Sequence, residues 1–316
     1  METNAISRRN LLKNSLAVGA GLGLGLPEAM AGSEKKAAHN FKFSLNTSTI
    51  REQNLGLMGE IETAAKAGYD AIEVWVSTVE KYVQQGGKLK DVKKKAADLG
   101  ITIEDAIGFS KWIVDDATER EKALEQNKKE MAMLAEIGCK RIAAPPFGAT
   151  TGKVLDLKAI AERYGKLLEV SDNFGVIPQL EMWGFSTNLH LVGEVLFAAS
   201  ESGHPKACVL TDVYHLHKGG SNFNSLRTAS GSSIQMFHMN DYPGVPPRET
   251  INDGDRILPG DGVAPITQIL KELHAKKTPI ILSLEIFNKE YWKMDALVAA
   301  KLGIEKMKSS VAKAIA

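Results

Sequence analysis

IQMFHMND, residues Ile234 to Asp241, is a short apolar run that ends in chemistry. Four of its first six residues are apolar, one imidazole (His238) sits among Phe237, Met236 and Met239, and two polar residues close it. Its length and flanking turn residues suit a buried strand rather than a helix, because helices need ten or more residues to show their period. Seven other runs share its form: FKFSLN (Phe41 to Asn46), AIEVWV (Ala71 to Val76), ITIEDAIG (Ile101 to Gly108), RIAAPP (Arg141 to Pro146), VIPQLEMW (Val176 to Trp183), CVLTDVYH (Cys208 to His215) and IILSLEIF (Ile280 to Phe287). Between them lie helical patterns such as LMGEIETAAKAG and EREKALEQNKKEMAMLAEIG. These carry apolar residues three and four apart, with Gly68, Gly100 or Gly138 at or just past the end.

Strand and helix therefore alternate eight times at a period of roughly thirty residues, which predicts an α/β fold, a single (β/α)8 TIM barrel. A doubly wound sheet would need fewer strands or a second domain. The connection after the seventh strand breaks the rhythm, running from Tyr242 through PGVPPRETINDGDRILPGDG, and a loop that long in a compact barrel is usually functional.

In such a barrel the site lies where strands end. Four successive strands end in polar groups: Glu181 on the fifth, Asp212 on the sixth, His238 on the seventh and Glu285 on the eighth. Taken singly, each has a bland explanation as a hydrogen-bonded core group or the lining of a wet channel. Together they would aim three carboxylates and one imidazole at one point, where mutual repulsion would raise the carboxyl pKa values unless a cation sat among them. One nitrogen and three oxygens suit a single divalent ion, Mn2+, Co2+, Zn2+ or Mg2+, and not a soft thiolate-preferring ion.

The remaining composition narrows the partners. The chain has 316 residues, 44% of them hydrophobic, enough for one large core. Lys plus Arg (39) nearly balance Asp plus Glu (38), with no long run of like charge, so no nucleic-acid or membrane-surface partner is expected. The lysine-rich KLKDVKKK from Lys88 reads as a solvated helix face. SRRNLLK (Ser7 to Lys13), followed by a Gly-rich apolar run to Leu26 and by AMA at Ala29 to Ala31, predicts a twin-arginine export signal over residues 1–31. That run is too short and too glycine-rich for a membrane span. The expected order is signal, linker 32–40 and barrel 41–316, with a periplasmic product not inserted in the membrane after cleavage. Cys139 and Cys208 are expected as two buried thiols, with a disulfide the minority reading, and no Cys-x-x-Cys zinc pattern exists.

The set LE, TDVYH, FHMND and LE resembles the xylose-isomerase-like barrel superfamily of sugar isomerases and epimerases. FHMND, DGDRILPGDG (Asp253 to Gly262) and LSLEIFNKEYWK (Leu282 to Lys293) further resemble its inosose (2-keto-myo-inositol) isomerase branch. The motif match covers the C-terminal half; the N-terminal half matches in repeat pattern. The resemblance implies a mononuclear site on Glu181, Asp212, His238 and Glu285, with the two glutamates also exchanging a substrate proton through an enediolate in either order. It implies that His215 binds substrate and that Arg256 reaches over it from the long loop, with Arg248 the competing choice. Trp183 is placed either to stack on a sugar face or to pack at its strand end. His217 is a weaker candidate, and Trp75, Phe109 and Trp112 are candidate ring contacts.

The expected substrate is a small carbohydrate or cyclitol, and the sequence leaves room for a homo-oligomer. Four activities compete. An isomerase or epimerase of a keto-sugar or inosose leads. A lyase or dehydratase would use the same enolate to expel a β-leaving group, for example from 3-keto-glycosides, which an exported enzyme is better placed to meet. A non-catalytic sugar-binding protein fits the scaffold, though not the glutamate pair. An endonuclease of the same superfamily needs further His and Glu ligands, and here AIGFS and AAPPF follow strands three and four without a histidine.

Overall fold

The computed structural model describes residues 39–316, so the twin-arginine segment and the expected cleavage point after Ala31 lie outside the described residues. Eight parallel strands form one sheet in the order β3-β2-β1-β8-β7-β6-β5-β4: β1 (Phe41–Asn46), β2 (Ala71–Trp75), β3 (Thr102–Ile107), β4 (Arg141–Ala144), β5 (Ile177–Glu181), β6 (Val209–Asp212), β7 (Ile234–Met239) and β8 (Ile280–Leu284). Around them run α1 (Gly56–Ala67), α2 (Val76–Gln84), α3 (Leu89–Asp98), α4 (Ala117–Glu136), α5 (Leu157–Ser171), α6 (Val192–Glu201), α7 (Val213–Gly219), α8 (Ile266–His274), α9 (Lys289–Trp292) and α10 (Ala296–Ile315). This is the expected (β/α)8 barrel. Asn40, assigned to the linker from sequence, already belongs to it: its carbonyl accepts from Ile280 N at 3.0 Å and its side chain meets His274 Nδ1 at 2.7 Å.

The strands stop earlier than their apolar runs suggest, because polar chemistry at the carboxyl ends takes over from the ladder. Val76 opens α2 directly after Trp75. Asp212 ends β6 and at once caps α7, accepting from His215 N at 2.9 Å, so His215 lies in the first turn of a helix and not on the strand. Local signals set the other elements. Gly68 closes α1 at φ 90°, a left-handed conformation that costs a residue with a Cβ. Asp116 and Asp156 cap α4 and α5 through bonds to Glu119 N and Ala159 N at 2.9 and 3.0 Å.

Burial follows the two faces of each strand. Outward residues such as Leu45, Ile72, Val74, Leu180, Phe237 and Leu284 join the helices in the main core. Inward residues Ile107, Ala143, Leu210, Met236 and Ile281 fill the barrel, with Trp75 and Phe109 above them. The described strands show no backbone ladder between β3 and β4. Side chains close that seam: Arg141 Nη1 and Lys140 Nζ each reach Glu104 at 2.9 Å, and Trp112 Nε1 donates to Pro145 O at 2.8 Å. Trp112, a candidate ring contact from sequence, is thus a buried brace packed near Tyr164. Cys139 and Cys208 are buried and free. Among the described residues, no helix is long and apolar enough to cross a membrane.

Candidate active site

Strand register assembles the site. Asp212 pairs with His238 across β6 and β7, and His238 pairs with Ser283 on β8. Glu285, two residues beyond Ser283, returns to the same face because side chains alternate. Asp212, His238 and Glu285, all buried, bring one potential ligand atom each to within 4.8 Å of the others. Glu181 lines a cavity together with Glu285 but stands outside that compact trio.

The donor set fits a cation. His238 Nδ1 lies 3.1 Å from Glu285 Oε2 and 3.7 Å from Asp212 Oδ2, yet is aligned for a hydrogen bond with neither. Glu181 Oε2 is likewise buried without a partner. Such orphaned atoms are costly unless something not made of protein satisfies them. Asn46 Nδ2 donates to Glu285 Oε1 at 3.1 Å, and Asn240 Nδ2 donates to Asp212 Oδ2 at 3.0 Å, which fixes both carboxylates.

The far side of the imidazole is held by Glu73 on β2. Its Oε1 is 2.9 Å from His238 Nε2, and its Oε2 accepts from Ser283 Oγ at 2.6 Å. Burial alone would lower the His238 pKa, and the charges of Glu285 and Glu73 overcome it and raise the pKa well above its ordinary value. Two carboxylates thus outweigh the apolar neighbours of this ring. A cation displacing the proton at Nδ1 would leave the other proton on Nε2, facing Glu73.

The two glutamates are pushed apart. Burial raises Glu181, opposed by His238 and reinforced by Glu285, to about 8. Burial would raise Glu285 as well, but His238 and Arg256 outweigh it and hold that carboxylate below its ordinary range. One neutral and one ionised carboxyl group on a single cavity is the electrostatic signature of an acid and base pair.

Arg256 comes from the long loop, as expected, and is 1% exposed. Its Nη1 bonds Asp212 Oδ2 at 2.8 Å and Glu285 Oε2 at 2.7 Å, and the guanidinium packs over Tyr214 and Phe287. Asp241 ties the loop to the barrel: its carboxylate accepts from the backbone N–H groups of Tyr242, Ala264, Gly260 and Gly262 at 2.8 to 3.1 Å. Its own backbone bridges antiparallel to Ile257, next to Arg256. Arg248 is exposed and outside the cavity lining, whereas Arg256 is part of it.

His215 also faces the cavity. Its Nδ1 accepts from Gly184 N at 3.2 Å, which places the ring proton on Nε2. That backbone contact requires Gly184, since a Cβ there would collide with His215 O and Gly219 N. Arg256 Nη2 lies 3.1 Å from Nε2, and the same Nη2 also bonds the Asp253 carboxylate. His217 instead stacks on Tyr242, with ring centroids 3.9 Å apart, and does not line the cavity.

The cavity is about 240 Å³, walled by Trp75, Phe109, Trp183, Phe185 and Phe287. It lies below the ~300–1,000 Å³ usual for drug-sized ligands and suits a single polar ring. Trp183 is part of this wall, its ring stacked on Phe185 with centroids 5.3 Å apart. Sequence reasoning missed Glu73, Asn46, Phe185 and Phe287. For Glu73 the signal was present: one acid inside the apolar AIEVWV is the pattern that singled out strands five to eight.

Comparison with known proteins agrees with this geometry. The profile of the xylose isomerase-like TIM barrel family matches residues 61–310. Inosose isomerase of Bacillus velezensis is 27% identical over 286 residues, covering 86% of this chain and 98% of that protein. Fructoselysine 3-epimerase of Escherichia coli O157:H7 is 22% identical over 239 residues, covering 71% of this chain and 83% of its own. Among solved structures, the IOLI protein with a bound zinc atom superposes with a TM-score of 0.80 at 24% identity, covering 86% of this chain and 98% of that one.

Proposed function

The chain belongs to the xylose isomerase-like TIM barrel family, and we propose that it is a metal-dependent isomerase or epimerase acting on a keto-sugar or inosose. The observation that carries the reading is the placement of Glu181 and Glu285, with opposite pKa shifts, on one aromatic-walled cavity beside Asp212 and His238.

Asp212, His238 and Glu285, with Glu181 beside them, would hold one divalent ion, zinc being the ion in the solved relative. When bound, such an ion polarises a carbonyl and stabilises the negative charge that develops as the neighbouring carbon loses its proton. The side chains do the rest. The aromatic walls position the ring and exclude water. His215 and Arg256, which both line the cavity, would bind substrate oxygens. Of Glu181 and Glu285, one takes the α-proton and the other delivers one to the enediolate on the adjacent or opposite position. The same enediolate can instead expel a β-substituent, and the second cleft described below favours a glycosyl group there.

Glu181→Gln and Glu285→Gln test the assignment. Each should lower kcat by at least about 100-fold while ligand binding persists, the scale of a lost general acid or base. Turnover surviving both changes would remove the glutamates from the mechanism. Export belongs to the same proposal: Arg8 and Arg9 support it, and changing both to Lys should leave the protein in the cytoplasm on fractionation.

A further inference from the structure

The carboxyl end of the barrel carries a second, larger cleft of about 640 Å³ between the 3-10 turn Thr47–Gln53, the start of α1 and helix α2. Trp75 walls both it and the metal-site cavity. We propose that this cleft is a binding site for the glycosyl substituent of a keto-glycoside whose keto-ring lies on the other side of Trp75, over Glu181 and Glu285. The inference rests on reading the first cavity as a keto-sugar site.

The lining selects the chemistry. Arg51 and Lys81 offer donors, Glu52 and Glu60 offer acceptors, and Tyr82 adds an aromatic edge. An anion would call for donors alone, whereas a neutral polyhydroxylated ring needs donors and acceptors together. Glu60 is the telling residue. It is 6% exposed, and its Oε2 is buried with no partner. A buried carboxyl group left unpaired costs stability unless something else binds it. Burial, opposed by Arg51, pushes its pKa up to about 7, so near neutrality the group both donates to and accepts from hydroxyls. Neither α1 nor α2 has a side-chain cap at its start, and first-turn residues Leu57, Ser77 and Thr78 line the cleft, leaving backbone N–H groups for a ligand.

The two cavities are joined by contacts as well as by a wall. Trp75 Nε1 donates to Asn46 Oδ1 at 3.2 Å, the same Asn46 whose amide holds Glu285, and Arg51 stacks on Trp75 at 4.3 Å. A ring bound beside Arg51 is thus linked to Glu285 through Trp75 and Asn46.

The test uses the metal-loaded full chain carrying Glu181→Gln, titrated calorimetrically with 3-keto-glucose and 3-keto-cellobiose. The two-ring probe should bind at least about 10-fold tighter, roughly 1.4 kcal/mol. Ser77→Trp, at an exposed position, should abolish that preference by filling the cleft while leaving 3-keto-glucose unaffected, and Glu60→Gln should reduce it several-fold. Equal binding of the two probes, or a preference that survives Ser77→Trp, overturns the proposal. So does binding of inorganic phosphate that Ser77→Trp removes, which would assign the cleft to anions. A retained two-ring preference in a protein that exchanges no substrate proton supports the cleft and removes the isomerase reading; exchange without the preference does the reverse.

Discussion

Glu73 and His238, 165 residues apart and both wholly buried, meet at 2.9 Å between a carboxylate oxygen and the imidazole nitrogen turned away from Asp212 and Glu285. A ligand imidazole binds a cation best when its other N–H is held in this way. Glu73→Gln should weaken zinc or manganese affinity by about 10-fold and Glu73→Ala by up to about 100-fold, the usual range for such partners. Titration of the metal-free protein reads this directly, with circular dichroism confirming the fold. Unchanged affinity would mean that the ring is oriented by something else.

Asp241 organises the long loop through four backbone N–H bonds. Asp241→Ala leaves those donors without their acceptor and should destabilise the protein by about 3 kcal/mol, given roughly 1–3 kcal/mol for an unsatisfied buried group. Because the loop carries Arg256, KM should rise more than kcat falls. A variant with lower thermal stability and unchanged KM would separate the loop's order from substrate binding.

Glu60 links the second cleft to stability. Its folded pKa, about 7, lies above the ordinary 4.5, so the folded protein binds the extra proton between those values. Relative stability from this group is therefore complete below about pH 4.5 and lost as pH rises through about 7. Glu60→Gln should melt higher than the parent at pH 8, by up to about 3 kcal/mol, and match it near pH 4.5, since 1.36 kcal/mol attaches to each pKa unit. Identical pH profiles for the two proteins would mean that the carboxylate is not desolvated.

What the sequence disclosed follows from which interactions are local. The barrel was legible because every strand and helix carries its own apolar period, and Asp212, His238 and Glu285 were legible because each ends such a run. Glu73 carried the same local signal, but its role did not show, because it depends on a contact with His238 across the barrel that no local pattern encodes. Trp112 looked like Trp75 in sequence, and the unpaired seam between β3 and β4, invisible from the chain, turned it into a brace. The electrostatic setting of His238 was hidden for the same reason: its apolar sequence neighbours point into the core, while the carboxylates around it arrive from β2 and β8.

The central claim is proton transfer at a carbon beside a ketone, and solvent exchange reads it most directly. In deuterated water, the metal-loaded protein should introduce deuterium at the α-carbon of an inosose or ketose, followed by proton NMR, at a rate that Glu285→Gln reduces by at least about 100-fold. No exchange across a panel of inososes, ketoses and 3-keto-glycosides with the metal bound would contradict the account.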